Sequence, residues 1–160
     1  MKAFCLPISL IIILIAGSAA NFARPGYQLV GVWESEDKDL QIEMFENDCE
    51  FYGRMIYFKC SSDEIMSTLK DIENPDKELT TRKLLGLMLV TQLDYKGNNV
   101  WDDGKIYDPN SGLTFEARIQ LTGPETATVR GYWKYRWIGR SMTFHRKDNS
   151  PSQHSATQVH

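Results

Sequence analysis

Residues 113–121 alternate without a break. Leu113, Phe115, Ala117, Ile119 and Leu121 fall on one side of an extended chain, and Thr114, Glu116, Arg118 and Gln120 on the other. A period of two predicts a strand with one buried and one solvated face. Such strands belong to antiparallel sheets. The pattern recurs. Leu40, Ile42 and Met44 alternate with Gln41 and Glu43 before a turn at Asn47-Asp48. Glu50 to Lys59, rich in Phe and Tyr, reads as a long strand, with Gly53 at a bulge or close contact. Residues 87–96, 99–107, 126–134 and 139–147 complete the set, and Tyr27–Ser35 reads as the first strand. Turn residues separate them at 36–39, 96–98, 108–112 and 122–125. About eight meandering strands with one apolar face tend to close, because closure removes exposed edges. The fold class expected is therefore all-β, an eight-stranded antiparallel up-and-down barrel. An interior of that size is filled by side chains or holds one small ligand.

One long connection breaks the meander, at residues 61–83. Ser61-Ser62-Asp63-Glu64 looks like a capping box before Ile65, Met66 and Leu69, predicting one short helical insertion. Asn74-Pro75 offers a second N-cap with Pro at the first helical position. Long connections in compact domains often serve as lids or binding loops.

The first twenty residues set the expected compartment. Lys2, an apolar run from Ala3 to Gly17 and the small residues Ser18-Ala19-Ala20 are the marks of a secretory signal peptide cleaved before Asn21. The apolar run falls short of the roughly 20 residues that span a bilayer. The expected organisation is a signal peptide at 1–20, a single barrel domain at 21–148 and a disordered polar tail at 149–160, in a protein that is exported to the periplasm or beyond. No further transmembrane segment is expected. Removing Lys2 leaves 17 basic residues against 21 acidic. With no dominant basic patch, nucleic acid is disfavoured as a partner. Cys49 and Cys60 remain after cleavage. On one continuous strand they would lie about 35 Å apart, whereas a disulfide needs about 7 Å or less. No intrachain bridge is expected; free thiols or a bridge between chains stay open.

Val100 to Gly112 carries the densest set of unusual residues. Asp108-Pro109-Asn110-Ser111-Gly112 has oxygen ligands at alternating positions, but lacks the sixth-position Gly and twelfth-position Glu of a calcium loop. A hairpin turn is the simpler reading: Asp108 caps it, Pro109 sets φ and Gly112 takes a positive φ. Trp101 and Tyr107 share a face if the strand is regular, and Gly104 disturbs that register; core packing is the default for both, a ligand the alternative. Asp102 and Asp103 point to opposite faces of a strand, so they read as solvated loop acids. A dyad of either with Asp76 is the remaining acid–base reading. Arg130, which shares a face with Tyr132, and Arg140 could hold an anionic group inside a barrel or face solvent. His145 has no partner at metal-ligand spacing, so zinc is unsupported. No nucleophile elbow is present. No enzyme activity and no cofactor are expected.

Gly31-Val32-Trp33 opens the first strand and Arg146 ends the last. In a closed antiparallel barrel these pair, setting a guanidinium over an indole. The arrangement resembles the calycin superfamily, the lipocalins and their relatives. More specifically, residues 31–146 resemble the bacterial exported domain of unknown function 2147. The matching pieces are Gly31-Val32-Trp33, Tyr52-Gly53-Arg54-Met55-Ile56, Asn74-Pro75-Asp76, Leu84-Leu85-Gly86-Leu87, Trp101 to Pro109 with Gly104, Gly112, Arg130-Gly131-Tyr132 and Ile138-Gly139-Arg140. Asp103 stands where that family commonly has Gly, Phe144 where it has Trp and Lys83 where Pro is frequent. The resemblance implies a barrel framework held by Gly31, Trp33, Gly104, Pro109, Gly112, Gly131 and Arg146. The family name supplies no function; the strand count, the Trp33–Arg146 closure and the insertion over one barrel end point to a small apolar or amphipathic ligand, with Asn74, Asp76, Trp101, Asp102, Tyr107, Asp108, Arg130, Tyr132 and Arg140 as candidate contacts. Two other functions stand beside ligand binding. One is a protein–protein interaction module with a filled barrel. The other is a hydrolase that would need two of Asp76, Asp102, Asp103 and Asp108 close together in a cleft.

Overall fold

The computed structural model describes residues 24–147. The expected signal peptide and the polar tail lie outside the described residues. Eight strands form one closed antiparallel barrel in sequence order: β1 (Gly31–Ser35), β2 (Leu40–Asn47), β3 (Glu50–Phe58), β4 (Met88–Gly97), β5 (Val100–Asp108), β6 (Leu113–Gly123), β7 (Thr126–Tyr132) and β8 (Gly139–Arg146). Among the described residues no helix is long and apolar enough to cross a membrane. The only α-helix there is α1 (Asp63–Met66), in the β3–β4 connection. Its cap is Ser62, whose hydroxyl accepts from the Ile65 amide at 3.3 Å, one residue later than the capping box predicts. Asn74-Pro75 starts no helix. The Asn74 carbonyl oxygen instead accepts from the Asp76 amide at 2.8 Å, a side-chain turn that competes with helix entry.

Closure occurs where β1 meets β8. Trp33 pairs with Arg146 and Ser35 with Phe144. The Arg146 guanidinium lies 4.3 Å from the Trp33 ring centroid. Its Nη1 donates to the Val30 carbonyl at 2.9 Å, and the Trp33 indole donates to the Leu29 carbonyl at 2.8 Å. These bonds tie the chain before β1 to the barrel. That chain differs from the sequence expectation: Tyr27–Leu29 is a single 3-10 turn and not strand. Gly26 makes the entry possible. Its φ is +82°, and a Cβ there would stand 2.8 Å from both the Phe51 and Tyr95 rings. Leu29, 1% exposed, then plugs one end of the barrel. The β2–β3 and β4–β5 turns sit at that same closed end. Each has two consecutive residues at positive φ, Asp48-Cys49 and Asn98-Asn99, as tight hairpins require. Cys49 and Cys60 are unbridged within the chain.

Register explains the interior. Residues paired directly across two antiparallel strands share a face. Ile42 pairs with Met55, Phe51 with Leu93, Trp101 with Ile119 and Ala127 with Phe144. All are buried. On β5 a bulge falls between Trp101 and Gly104, with Asp103 at φ +63°. An extra residue shifts the alternation by one. Trp101, Gly104 and Ile106 therefore face inward, while Asp102 and Tyr107 face outward. Trp101 and Tyr107 do not share a face. Gly104, Ala117 and Gly131 form one row of small residues across β5, β6 and β7. The room they leave is filled by neighbours: a Cβ on Gly104 would lie 2.7 Å from Leu93 Cγ and from the Thr91 carbonyl. Gly104→Val is expected to cost about 1–3 kcal/mol through overpacking, read as a lower urea midpoint with an unchanged slope.

Candidate functional site

The barrel is closed at one end and filled through its middle. Trp33, Ile42, Met44, Ile119, Val129 and Phe144 surround a residual cavity of only about 10 Å³, room for one water-sized probe at most. A ligand has no space beside them. The opposite end carries the β1–β2, β5–β6 and β7–β8 turns and the β3–β4 insertion. There the inward-facing positions are apolar but not covered. Ile106 pairs with Phe115 and Met142 with Val129, and the Phe115 and Trp133 rings meet edge to face at 5.9 Å. Ile106 and Phe115 close over Gly131, where a Cβ would stand 3.3 Å from Ile106 Cγ2, and both are half-buried. Leu113 and Met142 are each 46% exposed and Trp133 57%. Arg140, paired with Gly131, stands exposed on the same inward-facing register. This is an apolar mouth over a packed floor, with one cation on its rim.

Two polar clusters on the outer face of the sheet frame that mouth. The first centres on Asp102. Read as a solvated acid, it is instead 3% exposed. Arg118 reaches it at 2.6 Å, Arg136 at 2.8 Å and the Tyr132 hydroxyl at 3.4 Å. The correction has a clear cause: the β5 bulge turns Asp102 outward beneath the β7–β8 loop, and that loop supplies Arg136. Arg130 holds the same loop, donating from Nε and Nη2 to the Arg136 carbonyl at 2.9 and 2.7 Å and from Nη1 to the Ser141 hydroxyl at 3.0 Å. Arg130 pairs with Arg118 on the outer face, so it does not enter the lumen.

The second cluster centres on Asp71, which no solvent reaches. It accepts from Tyr107 at 2.7 Å, from Asn74 at 2.8 Å and from Arg82 at 2.8 Å. Arg82 also lies over the Tyr107 ring, 5.3 Å from its centroid. Burial pushes the Asp71 carboxyl up, but the hydrogen bonds from Tyr107, Asn74 and Arg82 and the charge of Arg82 outweigh it and hold it below its ordinary value. Burial, and then the bond to Asp71, raise the Tyr107 hydroxyl. The cluster pins the insertion against β5. Beside it the β5–β6 turn forms as its residues predict. Asp108 accepts from the Asn110 amide at 3.0 Å and from the Ser111 hydroxyl at 2.8 Å, after which Pro109 and the turn lead to Gly112 at φ +67°. A Cβ on Gly112 would overlap the Glu73 carbonyl, so insertion and turn fit only around glycine.

The structure thus divides the sequence candidates. Arg140 lies at the mouth. Asn74 and Tyr107 belong to the Asp71 clamp, and Asp102, Tyr132 and Arg130 to the clamp on the β7–β8 loop. Trp101 is fully buried, against Phe51 and Tyr95 at 6.1 and 5.1 Å. Asp76 is exposed and accepts from the Glu78 amide at 2.9 Å. Asp103, also exposed, pairs with Lys96 at 2.8 Å. Each carboxylate needed for the hydrolase reading therefore has its own separate partners. Asp71, Arg82, Arg118 and Arg136 escaped the sequence reading. Apart from Asn74, three residues from Asp71, their partners lie 11 to 36 residues away, beyond any local motif. Among the described residues no three His, Cys, Asp or Glu side chains gather at metal-binding distance. A wide groove of about 830 Å³ also lies at the closed end, lined by Arg24, Tyr27, Glu46, Cys49, Tyr95 and Lys96 among others. Its charges are mixed, and the Arg24–Glu46 pair at 2.9 Å already uses two of them.

Residues 31–146 match the family described as uncharacterized protein conserved in bacteria (DUF2147). The chain belongs to the DUF2147 family. The match begins at the first barrel strand and ends at Arg146, so the DUF2147 unit is the closed barrel with its insertion. Among solved structures, protein HP1028 from the human pathogen Helicobacter pylori, which belongs to the lipocalin family, is similar. It is 22% identical with a TM-score of 0.68, over 76% of this chain and 84% of that one. That likeness establishes a lipocalin-like fold for this DUF2147 chain. A redesigned β-barrel overlaps over 79% of this chain and 98% of that one, at 12% identity and a TM-score of 0.44, too loosely to carry an argument. No curated protein matches the chain.

Proposed function

We propose that this DUF2147 barrel is an exported bacterial binding protein, and not an enzyme, that holds a small amphipathic ligand at its open mouth. The observation that carries the reading is the inward-facing apolar set of Leu113, Trp133 and Met142, all exposed, around a half-buried Phe115 above a filled lumen. A ligand there would cover this surface, gaining roughly 25 cal/mol for each Å² removed from water. Arg140 on the rim suits an anionic end group. The signal-peptide pattern at 1–20 supports export, and the family's occurrence in bacteria supports the periplasm or beyond as the compartment. Titration with laurate, followed by tryptophan fluorescence, tests the reading. Saturable binding is expected, weakened at least tenfold by Met142→Glu, which sets a carboxylate against both the chain and the head group. Equal affinity in the variant would place the ligand elsewhere.

The packed lumen favours a second reading, an interaction module of the cell envelope that works through its surface. Asp76 and Asp108 near the insertion would then form the contact patch. Crosslinking in the native host should lose a partner on Asp76→Lys, an exposed position whose change leaves the barrel intact.

A further inference from the structure

The β7–β8 loop has a surface that ligand binding does not use. Of the twelve large hydrophobic side chains exposed among the described residues, five fall between Trp133 and Met142; Trp133 and Met142 belong to the mouth, and Tyr135, Trp137 and Ile138 lie outside it. Trp137 is 75% exposed and stacks on Tyr135 at 4.7 Å. Exposure here does not come from a lack of fixing contacts. The Trp133 amide donates to the Ile138 carbonyl at 3.1 Å and the Ile138 amide to the Tyr135 carbonyl at 3.0 Å. Arg130 grips the Arg136 carbonyl, and Asp102 grips the Arg136 guanidinium. The loop is preformed, so docking would spend little on ordering it.

We propose that this loop is a contact for an anionic lipid surface. Trp133-Lys134-Tyr135-Arg136-Trp137 alternates aromatic and cation. Trp and Tyr favour the headgroup layer, where one edge of the ring is wet and the other apolar. Cations beside them favour anionic headgroups. On the loop Lys134 is exposed, and Arg136, although it pairs with Asp102, keeps 58% of its side chain exposed, with no Asp or Glu between Thr126 and Lys147 in a protein of net charge −3. Lysine between the aromatics argues against a protein partner, since interface cores are depleted in it. The acids Glu36, Asp37 and Asp39 lie on the neighbouring β1–β2 turn, where the Glu36 amide bonds the Thr143 carbonyl. They repel an anionic surface, so the contact is confined to the loop and is weak and reversible. The side chains it needs, Tyr135, Trp137 and Ile138, are outside the mouth, and the inference is independent of the ligand reading.

Co-flotation of the full chain with phosphatidylglycerol–phosphatidylethanolamine vesicles tests it, against the Trp137→Ser/Ile138→Ser double variant with the same N-terminus. The bound fraction is expected to fall at least tenfold in the variant. It should also fall on phosphatidylcholine vesicles and in about 0.5 M salt, where screening acts within a few ångströms. Lys134→Glu, a fully surface change, should give the same loss and guards against misfolding of the double variant. Laurate affinity should stay unchanged in both variants, so that failure here is distinct from failure of the ligand reading. Equal vesicle binding by wild type and variants, or none by the wild type, overturns the proposal. A wild-type dimer on sedimentation that the double variant loses, without vesicle binding, overturns it in favour of a second copy of the chain.

Discussion

Trp33→Ala is expected to lower the stability of the barrel by about 3–5 kcal/mol, a large share of the total for a domain of this size. Three separate losses combine. The indole is 2% exposed and packs in the centre of the core. Its Nε1 holds the Leu29 carbonyl, so the plug at the closed end loosens. Its face carries the Arg146 guanidinium at 4.3 Å, so the β1–β8 seam loses the cation–π contact, worth about 0.5–2 kcal/mol. Arg146→Met separates these terms. It keeps an apolar stem over the indole while removing the charge and the bond to Val30, and should cost about 1–3 kcal/mol. Urea unfolding followed by far-ultraviolet circular dichroism measures both without depending on the tryptophan removed. A cost below about 1 kcal/mol for Trp33→Ala would mean that the seam is held by its backbone ladder alone.

Asp71→Ala is expected to cost about 2–4 kcal/mol. The buried carboxylate is the common acceptor for Tyr107, Asn74 and Arg82, and each buried donor left unpaired costs about 1–3 kcal/mol. Arg82 is 36% exposed and can turn to water, which keeps the total below that for a fully buried ion pair. The loss should be local: the insertion between β3 and β4 detaches, and limited proteolysis should cut between Ser61 and Lys83 before the barrel unfolds. The clamp also sets a pH dependence. Asp71 is depressed when folded, so between its folded value and the ordinary carboxylate value near 4 the unfolded chain binds more protons. The clamp's contribution is complete above about pH 5 and is lost as pH falls through the depressed value. Tyr107 acts with the opposite sign: its hydroxyl is raised, so its contribution is whole below about pH 10 and declines as pH rises through the folded value. In Asp71→Ala the acid limb of a stability–pH curve should flatten relative to wild type.

The barrel was legible because each strand carries its own period of two. β6 starts at the predicted Leu113, and the Trp33–Arg146 seam follows from two residues that flank the domain. The Asp108–Gly112 turn was legible for the same reason: its capping carboxylate, proline and glycine act within five residues. The clamps were not. Asp102 is buried only because one extra residue at Asp103 flips the alternation of β5, and because a loop 34 residues further on folds back to deliver Arg136. Asp71 likewise depends on Tyr107, brought near by strand pairing and not by spacing. Tyr27, Leu29 and Val30 carry a strand-like apolar pattern, and tertiary contact of Gly26 with Phe51 and Tyr95 overrides it. Whether the lumen was open or filled depends on side-chain volumes summed around a closed ring, which no single segment encodes.

Native mass spectrometry of the protein isolated from its own cell envelope tests the central claim most directly. One small amphipathic species bound per chain is predicted, displaced by laurate and absent from the Met142→Glu variant. An unliganded mass in the wild type, with no laurate adduct at saturating concentration, would contradict a binding site at the mouth.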